Sequence, residues 1–308
     1  LSAGEPAGSL TEEGARLLDP TGGLVAGIPM CPPEGDAGTG MVATCSVAPR
    51  SANVSVGTSV FAMVVLERGI SAAHHEIDLV TTPSGDPVAM VHCNNGASEL
   101  AAWAGLFREF AAAVGSPVAA DDAFAALYGA ARRGATDGGG LLAYNHLSGE
   151  PIVGLVEGRP LVVRTPGSEL SLANFMRVQL YGVFATLSLG MEVLASEGVA
   201  IDRVRAHGGV FRTAGVAQQV LADALGAPVA VADTASEGGA WGMAVLAAYL
   251  HRAETPLHEH LERRVFATTE VSVLDPEPDG AVGYAAYLGR YRAGLAAERA
   301  ALAALPAG

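Results

Sequence analysis

Short apolar runs separated by turns of glycine and small polar residues characterise the first third of the chain. Residues 53–56 and 60–66 flank the turn 57–59, and the second run is apolar throughout. A fully apolar run of this length is typical of a strand buried on both faces of a sheet. A further strand is predicted at residues 88–92, shortly after the turn 84–86. The pattern therefore predicts a sheet in which residues 60–66 occupy a central position.

Helical patterns fill much of the remaining chain. They are predicted at residues 11–18, 97–114, 121–133, 171–197, 214–225, 238–252 and 281–304. In the last third, strands predicted at residues 204–207 and 228–232 alternate with helices, and this alternation indicates an α/β fold. Residues 34–40 are predicted to form a flexible glycine-rich loop, and residues 148–170 an irregular insertion.

The composition narrows the function classes. Of 308 residues, 50% are hydrophobic and the formal net charge is −14. The chain can bury a large core, and its acidic balance argues against binding nucleic acid, which needs Lys and Arg at the phosphates. All 18 basic residues are Arg. Without Lys the chain has no Walker A loop, no protein-kinase strand Lys and no Schiff-base site for pyridoxal phosphate. A small anion remains an acceptable ligand, because backbone N–H groups can bind it.

The spacing of the cysteines and the length of the apolar runs indicate the cellular compartment in which the protein is expected. Cys31, Cys45 and Cys93 show no CxxC spacing, which favours free thiols in a reducing compartment over a zinc site or a disulfide framework. The sequence shows no basic start followed by an apolar segment, which is the pattern of a signal peptide, so none is expected. The longest nearly apolar run, residues 238–250, is shorter than the roughly 18–20 residues that span a bilayer. A cytoplasmic protein without membrane contact is expected.

The His and Glu residues between positions 251 and 260 allow two interpretations, a metal site or charges at the surface. They lack the paired His with a central Glu of a zinc-protease helix. Pro256 also interrupts the segment and disfavours a continuous helix. Solvated surface charges without a metal are therefore expected here.

Two glycine-containing turns are candidates for ligand binding. Gly57, Thr58 and Ser59 offer consecutive backbone N–H groups and two hydroxyls that can hold a phosphate, although an ordinary hairpin turn has the same composition. Gly208 and Gly209 follow a predicted strand and precede a helix. This pair either lets a ligand approach the backbone closely or forms a tight connection between strand and helix.

The acidic residue Asp36 lies between glycines in the predicted loop 34–40. A carboxylate that reaches a substrate hydroxyl can act as a general base. A solvated turn residue is the alternative, because Asp is common in turns. The residue type alone leaves both interpretations open.

The order of these segments along the chain resembles the FGGY family of carbohydrate kinases, which belongs to the actin-like ATPase superfamily with a ribonuclease H-like core. The resemblance runs from about residue 4 to residue 250. Residues 35–40 resemble the Gly-Asp loop of the family and residues 54–59 its second phosphate motif. The adenosine motif and the elements after it are matched by residues 207–209, 218–223, 226–229 and 237–248.

The resemblance implies an α/β fold of the actin-like ATPase type and the ATP-dependent phosphorylation of a sugar hydroxyl. The implied roles are catalytic base for Asp36, ATP phosphate binding for Gly57, Thr58 and Ser59, and adenosine binding for Gly208 and Gly209. ATP and Mg²⁺ are the implied cofactors, and no side chain is assigned as a metal ligand. The pattern is most similar to xylulokinases and ribulokinases, which implies a ketopentose such as xylulose. A homo-oligomer is compatible with the sequence.

Two departures from the family pattern affect these expectations. The N-terminal Asp-x-Gly-Thr motif, which holds phosphate and Mg²⁺ in the family, is absent. Residues 1–50 are therefore expected to end the N-terminal, sugar-binding lobe, residues 51–308 to form the nucleotide-binding domain, and this chain alone to be inactive. Residues 210–213 also differ from the small or amide-bearing residues usual after the glycine pair. The alternatives are a non-catalytic nucleotide-binding module and an actin-like ATPase acting on a protein or a cofactor.

Overall fold

A seven-stranded mixed sheet forms the centre of the molecule in the computed structural model, which describes residues 1–232 and 238–305. The strands are β1 Gly8–Ser9, β2 Pro29–Met30, β3 Ser51–Val56, β4 Val60–Val65, β5 Asp78–Thr81, β6 Pro87–Cys93, β7 Leu142–Tyr144, β8 Leu161–Val163, β9 Arg203–Gly208, β10 Val229–Ala232 and β11 Val271–Leu274. The helices are α1 Glu12–Leu18, α2 Asp36–Ala43, α3 Ser98–Ala113, α4 Ala120–Ala131, α5 Leu172–Ser196, α6 Val216–Leu225, α7 Gly238–Tyr249, α8 Leu257–His260 and α9 Pro278–Ala304.

The order of strands in the central sheet is β11-β10-β9-β3-β4-β6-β5. Strands β3, β9 and β10 are parallel, and the other neighbouring pairs are antiparallel. Val56, at the end of β3, pairs with Gly208 at the end of β9 and with Val60 of β4. Because parallel strands end at the same edge of a sheet, the turn 57–59 and the glycine pair lie side by side.

Alternate residues of the central strands point to opposite faces of the sheet. On one face, Val60 and Ala62 belong to a core formed with α3, α4, α5, α6 and α9. On the other face, Met63 and Val65 pack with α2, α7 and α8. Strand β4 is buried along nearly its whole length because both faces are covered. The central strand predicted at residues 60–66 is confirmed.

Helix α5 runs through the larger of these two cores. The Ser171 hydroxyl caps it by accepting a hydrogen bond of 3.2 Å from the Asn174 amide, and Gly198, with φ of 73°, follows its end. By length and composition α5 could cross a membrane, but 78% of its most apolar window is buried within the fold. Such burial is typical of the core helix of a globular domain. The helix predicted at residues 171–197 is confirmed.

Residues 34–40 do not form the flexible loop predicted from their glycines, and that prediction was wrong. Helix α2 begins within this segment at Asp36, and Gly35 is its N-cap. A carboxylate in the first turn stabilises a helix by offsetting the partial positive charge at its N-terminus. The segment is therefore ordered as the start of a helix.

Tertiary packing explains why this glycine-rich helix forms. Met41 and Val42 of α2 are buried against the sheet. Gly242 of α7 lies so close to α2 that a Cβ atom there would come within 2.0 Å of the Thr39 carbonyl oxygen. Packing against a neighbouring element routinely overrides low intrinsic helix propensity. The sequence pattern around Asp36 carried no direct signal of this contact.

The edges of the sheet were not predicted from the sequence. All four residues of β5 are exposed, and β11 contacts the sheet only through β10. Edge strands bury few side chains, so an apolar pattern does not mark them. The insertion predicted at residues 148–170 also contains the short strand β8, which pairs with β7. The prediction of an irregular segment was therefore wrong in part.

One carboxylate attaches the loop between β4 and β5 to the end of α5. Glu197 accepts hydrogen bonds from the Ser71 hydroxyl at 2.6 Å and the Ser71 amide at 2.8 Å, and its Oε1 lies 2.6 Å from His74 Nε2. The Ser71 hydroxyl, His74 and the Ser71 amide lower the pKa of Glu197 from 4.5 to about 2. A group with a lowered pKa stabilises the fold above its unfolded-state pKa, and this stabilisation is lost as the pH falls toward the folded-state value.

We expect Glu197→Gln to lower the melting temperature at neutral pH, with a difference from wild type that shrinks as the pH falls from 4.5 toward 2. Thermal unfolding followed by circular dichroism across this range measures the difference. Glu192→Gln is the control, because Glu192 is an exposed carboxylate on the same helix, paired with Arg292 at the surface. A difference for Glu197→Gln that stays constant with pH would contradict the assignment.

Candidate functional site

A pocket of about 710 Å³ opens at the carboxyl ends of the parallel strands β3 and β9. Its wall is formed by residues 56–58, the start of α3, one side of α4, and Gly209, Val210, Arg212 and Thr213. In open α/β sheets, ligands bind at this edge, where strand ends and helix N-termini converge. The volume falls within the roughly 300–1,000 Å³ of small-molecule sites. This pocket is the candidate functional site.

The turn between β3 and β4 brings Gly57 and Thr58 to the pocket wall, whereas Ser59 is not part of it. The Gly96 amide donates to the Thr58 carbonyl at 2.7 Å, and the Ala97 amide donates to the Gly57 carbonyl at 2.9 Å. These bonds occupy the two carbonyl oxygens and hold the turn against the start of α3. Thr58 is exposed and can present its N–H and hydroxyl as donors to an anion.

Gly208 and Gly209 have different structural roles. Gly208 has φ of 124°, in the region that favours glycine, and a Cβ atom there would approach the Val56 carbonyl oxygen to 2.0 Å. It therefore allows β9 to pair closely with β3 at its end. Gly209 lines the pocket, and nothing lies within 4 Å of the position that its Cβ atom would take. Of the pair, Gly209 is the residue that leaves space for a ligand.

The residues after the glycine pair divide their side chains between core and pocket. Val210 and Phe211 are buried, and the Phe211 ring stacks on Phe184 with centroids 6.4 Å apart. Arg212 and Thr213 line the pocket. A guanidinium and a hydroxyl are both suitable donors to phosphate oxygens. The segment that departs from the family pattern therefore adds two polar groups to the site.

Sequence reasoning missed the wall formed by α4. Phe124 and Tyr128 give it an aromatic surface, with ring centroids 6.0 Å apart in an edge-to-face arrangement. Burial raises the pKa of Tyr128, so its phenol stays neutral. Asp121 and Asp122 add carboxylates in the first turn of the helix. The sequence predicted only a helix at residues 121–133. No short motif indicated that this helix lines a pocket instead of packing only in the core.

Asp36 does not line this pocket. It is exposed and begins α2, on the opposite face of the sheet from α3 and α4. The first turns of α2 and α7 meet where Gly239 and Gly242 pack on Thr39. Helix α7 begins six residues after the end of β10, which is parallel to β9. The start of α2 is therefore directed toward the same edge of the sheet as the pocket.

His207 precedes the glycine pair and pairs with Ser55 in the sheet. Its burial lowers the pKa of the imidazole, so the ring is neutral at neutral pH. In the part of the chain that the structure describes, its Nε2 atom is buried without a hydrogen-bond partner. The ring shares the α2 face of the sheet with Asn53, whose amide donates to Thr44 of that helix. Neutral His207 thus adds an uncharged polar group on the side of the sheet that carries Asp36.

Within residues 1–232 and 238–305, no group of three His, Cys, Asp or Glu side chains is arranged to hold a metal ion. In the cluster between residues 251 and 260, His260 is buried and packs on Tyr249, with ring centroids 5.2 Å apart. The prediction of a solvated surface residue was wrong for His260. Glu237, which the family resemblance placed beside the adenosine motif, lies outside the described residues.

Comparison with protein families gives a match over most of the chain. Residues 52–251 match the C-terminal domain of the FGGY family of carbohydrate kinases. The matched range contains β4, β9, all of β3 except Ser51, and the whole pocket wall. A comparison with curated proteins finds no match.

Solved structures of sugar and polyol kinases share the fold. The xylulose kinase from Rhodospirillum rubrum has a TM-score of 0.78 and 20% identity, with 96% of this chain and 56% of that chain covered. A xyloylose kinase from Brucella ovis has a TM-score of 0.74 and 21% identity, with 96% of this chain and 57% of that chain covered. Plasmodium falciparum glycerol kinase with ADP has a TM-score of 0.64 and 15% identity, with 89% of this chain and 52% of that chain covered. This chain therefore spans little more than half the length of these proteins.

The mixed sheet with helices on both faces is the actin-like ATPase fold of those kinases. At such low identity the structural similarity establishes only the fold. The family match over residues 52–251 identifies the family. The chain belongs to the FGGY family of carbohydrate kinases.

Proposed function

We propose that this chain is the nucleotide-binding part of an ATP-dependent carbohydrate kinase. The observation that carries the proposal is the pocket in which the turn after β3 and Gly209, the residue after β9, meet. These are the two segments for which the resemblance of the sequence motifs implies phosphate binding and adenosine binding. Residues 1–50 are proposed to end a preceding sugar-binding lobe, and residues 51–308 to form the nucleotide-binding domain.

The pocket has donors for phosphate and an apolar surface for a base. Thr58 and Arg212 are the proposed phosphate contacts, because a hydroxyl, an N–H and a guanidinium all donate to phosphate oxygens. Phe124 is the proposed aromatic surface for the adenine, and Gly209, which lines the same pocket, leaves the backbone accessible. The carboxylates of α4 repel phosphate, which favours binding with the nucleoside toward α4. Ser59 also stays a proposed phosphate contact. It does not line the pocket, so the turn would have to rearrange locally for Ser59 to reach the phosphate.

The described residues do not fit a resident Mg²⁺ site, since they contain no group of three suitable side chains. Mg²⁺ usually keeps several waters and binds through substrate phosphates with one or two carboxylates. We propose that the ATP phosphates would hold the Mg²⁺, which would supply charge neutralisation at the phosphoryl group.

We propose that Asp36 accepts the proton of the attacking sugar hydroxyl. The sugar oxygen forms a bond to the γ-phosphorus as the bond to the β,γ-bridging oxygen breaks, and ADP leaves with that oxygen. Catalysis of phosphoryl transfer depends mostly on positioning and charge stabilisation. The exposed position of Asp36 at the start of α2 supports access to a sugar held between this domain and the preceding lobe.

A ketopentose such as xylulose is the proposed acceptor, and the cytoplasm the proposed location. Several solved structures with this fold are named xylulose kinases, while others are a gluconate kinase and a glycerol kinase. The acceptor therefore has to be tested across classes of sugar. The side chains that choose it are expected mostly in the preceding lobe.

The test is sugar-dependent ADP release by the product of the complete gene with Mg-ATP, against ketopentoses, aldoses and polyols. We expect one ketopentose to stimulate release, and this chain alone to bind ATP without sugar-dependent turnover. ATP binding with no stimulation by any sugar would favour a non-catalytic nucleotide-binding module. Sugar-independent turnover would favour an actin-like ATPase that acts on a protein or a cofactor.

A further inference from the structure

The phosphate-binding turn is supported by a short segment with no assigned role. The amides of Gly96 and Ala97 donate to the carbonyl oxygens of Thr58 and Gly57 at 2.7 and 2.9 Å. A Cβ atom on Gly96 would come within 2.4 Å of the Gly57 carbonyl oxygen. The contact is thus close enough that a displacement of residues 95–97 would displace the turn.

Asn95 anchors residues 95–97 through its side-chain hydrogen bonds. It is 5% exposed, and its side chain has hydrogen bonds in several directions. Its Oδ1 accepts from the amides of Leu147 and Ser148 at 2.8 and 2.9 Å, and its Nδ2 donates to Glu150 Oε2 at 3.0 Å. Asn145 Nδ2 adds a bond of 2.8 Å to the Gly96 carbonyl. A side chain with its donors and acceptors satisfied in this way has one preferred position.

Glu150 lies behind Asn95 and is fully buried. Its Oε2 also accepts from the Asn95 amide at 3.3 Å, whereas its Oε1 has no partner in the part of the chain that the structure describes. Burial raises the pKa of Glu150, with hydrogen bonds from Asn95 opposing the shift. A buried carboxyl with one unpaired oxygen costs stability. A positional role therefore accounts for this buried carboxyl better than a contribution to stability does.

We infer that Asn95, backed by Glu150, is a positioning residue that fixes the Gly57–Ser59 turn for the phosphates of the bound nucleotide. The inference rests on the proposed nucleotide-binding function. Asn95 is buried behind Gly96 and does not line the pocket, so it acts through the backbone of residues 96 and 97. Its effect is expected mainly on the phosphate part of the ligand, because the proposed adenosine contacts, Phe124 and Gly209, lie on other elements.

The test compares binding of ATP and of adenosine to this chain by titration calorimetry. Asn95→Ala is expected to weaken ATP binding about tenfold or more, since misplaced donors lose hydrogen bonds to a charged group, and to leave adenosine binding unchanged. Asn94→Ala is the matched control: Asn94 is an exposed neighbour that bonds Gly149. It should bind both ligands like wild type.

A second pair of variants covers failure of Asn95→Ala to fold. Glu150→Ala should lower the ratio of ATP to adenosine affinity, and Glu150→Gln, which keeps an acceptor for Asn95, should restore it. Folded variants with a wild-type ratio, or with equal losses for both ligands, would overturn the inference and leave the proposed function standing. If wild type binds neither ligand, the proposed function fails, and the inference with it.

Discussion

Asp36→Asn in the complete protein is expected to lower kcat by roughly 10²–10⁴-fold, the usual contribution of general-base catalysis, with ATP binding nearly unchanged. The amide keeps the shape and the position of the carboxylate at the start of α2 but cannot accept the proton of the sugar hydroxyl. Because Asp36 is not part of the pocket wall, its loss removes no contact with the nucleotide. Steady-state turnover with the stimulating sugar, together with ATP titration calorimetry, measures both quantities.

Glu34→Gln is the control for this variant. Glu34 is a neighbouring carboxylate, and its Oε1 accepts a hydrogen bond of 2.9 Å from the Gly35 amide at the start of the same helix. We expect its turnover to match wild type. Retained turnover in Asp36→Asn would remove Asp36 from the role of base, and an equal loss in both variants would indicate a general disturbance of α2.

The interior of the fold could be predicted because its signals are local. Residues 60–66 are apolar without interruption, and a buried central strand requires that pattern. Ser171 and Gly198 mark the two ends of α5 by capping chemistry that acts within a few residues. Such elements depend little on what packs against them, so their sequence identifies them.

The misassigned elements depend on distant partners. The start of α2 is rich in glycine and reads as a loop, yet Gly242, some two hundred residues later, provides the surface on which Thr39 packs. Strand β5 has an exposed sequence and exists because β6 offers an edge for pairing. Contacts of this kind leave no periodic signal in the segment itself.

The candidate site shows the same division. Sequence motifs identified Gly57, Thr58 and Gly209, which the structure brings to one pocket. The wall from α4 could not be identified, because an amphipathic helix that lines a ligand cavity has the same pattern as one that faces the core. The sequence gives no signal for Asn95 for a similar reason, because its partners lie about fifty residues away.

Gly208→Ala is expected to lower the free energy of unfolding by about 2–6 kcal/mol. Residues other than glycine at φ near 124° cost roughly 1–3 kcal/mol, and overlap of the new methyl group with the Val56 carbonyl oxygen costs roughly 1–3 kcal/mol more. A loss of this size is a large part of the roughly 5–15 kcal/mol that stabilises a typical protein. Urea unfolding of this chain measures it.

The variant Gly209→Ala distinguishes the role of Gly209 from that of Gly208. It has open space around its Cβ position and a helical turn for its backbone, so we expect no loss of stability. Its methyl group would extend into the pocket, where we expect ATP binding to weaken about tenfold, as the displacement of a closely packed ligand costs on the order of 1.4 kcal/mol. Destabilisation by both variants would show that the pair is a structural turn only. Stability lost at Gly208 and ATP affinity lost at Gly209 would place the nucleotide against the second glycine, because two adjacent residues with the same substitution would then fail for different physical reasons.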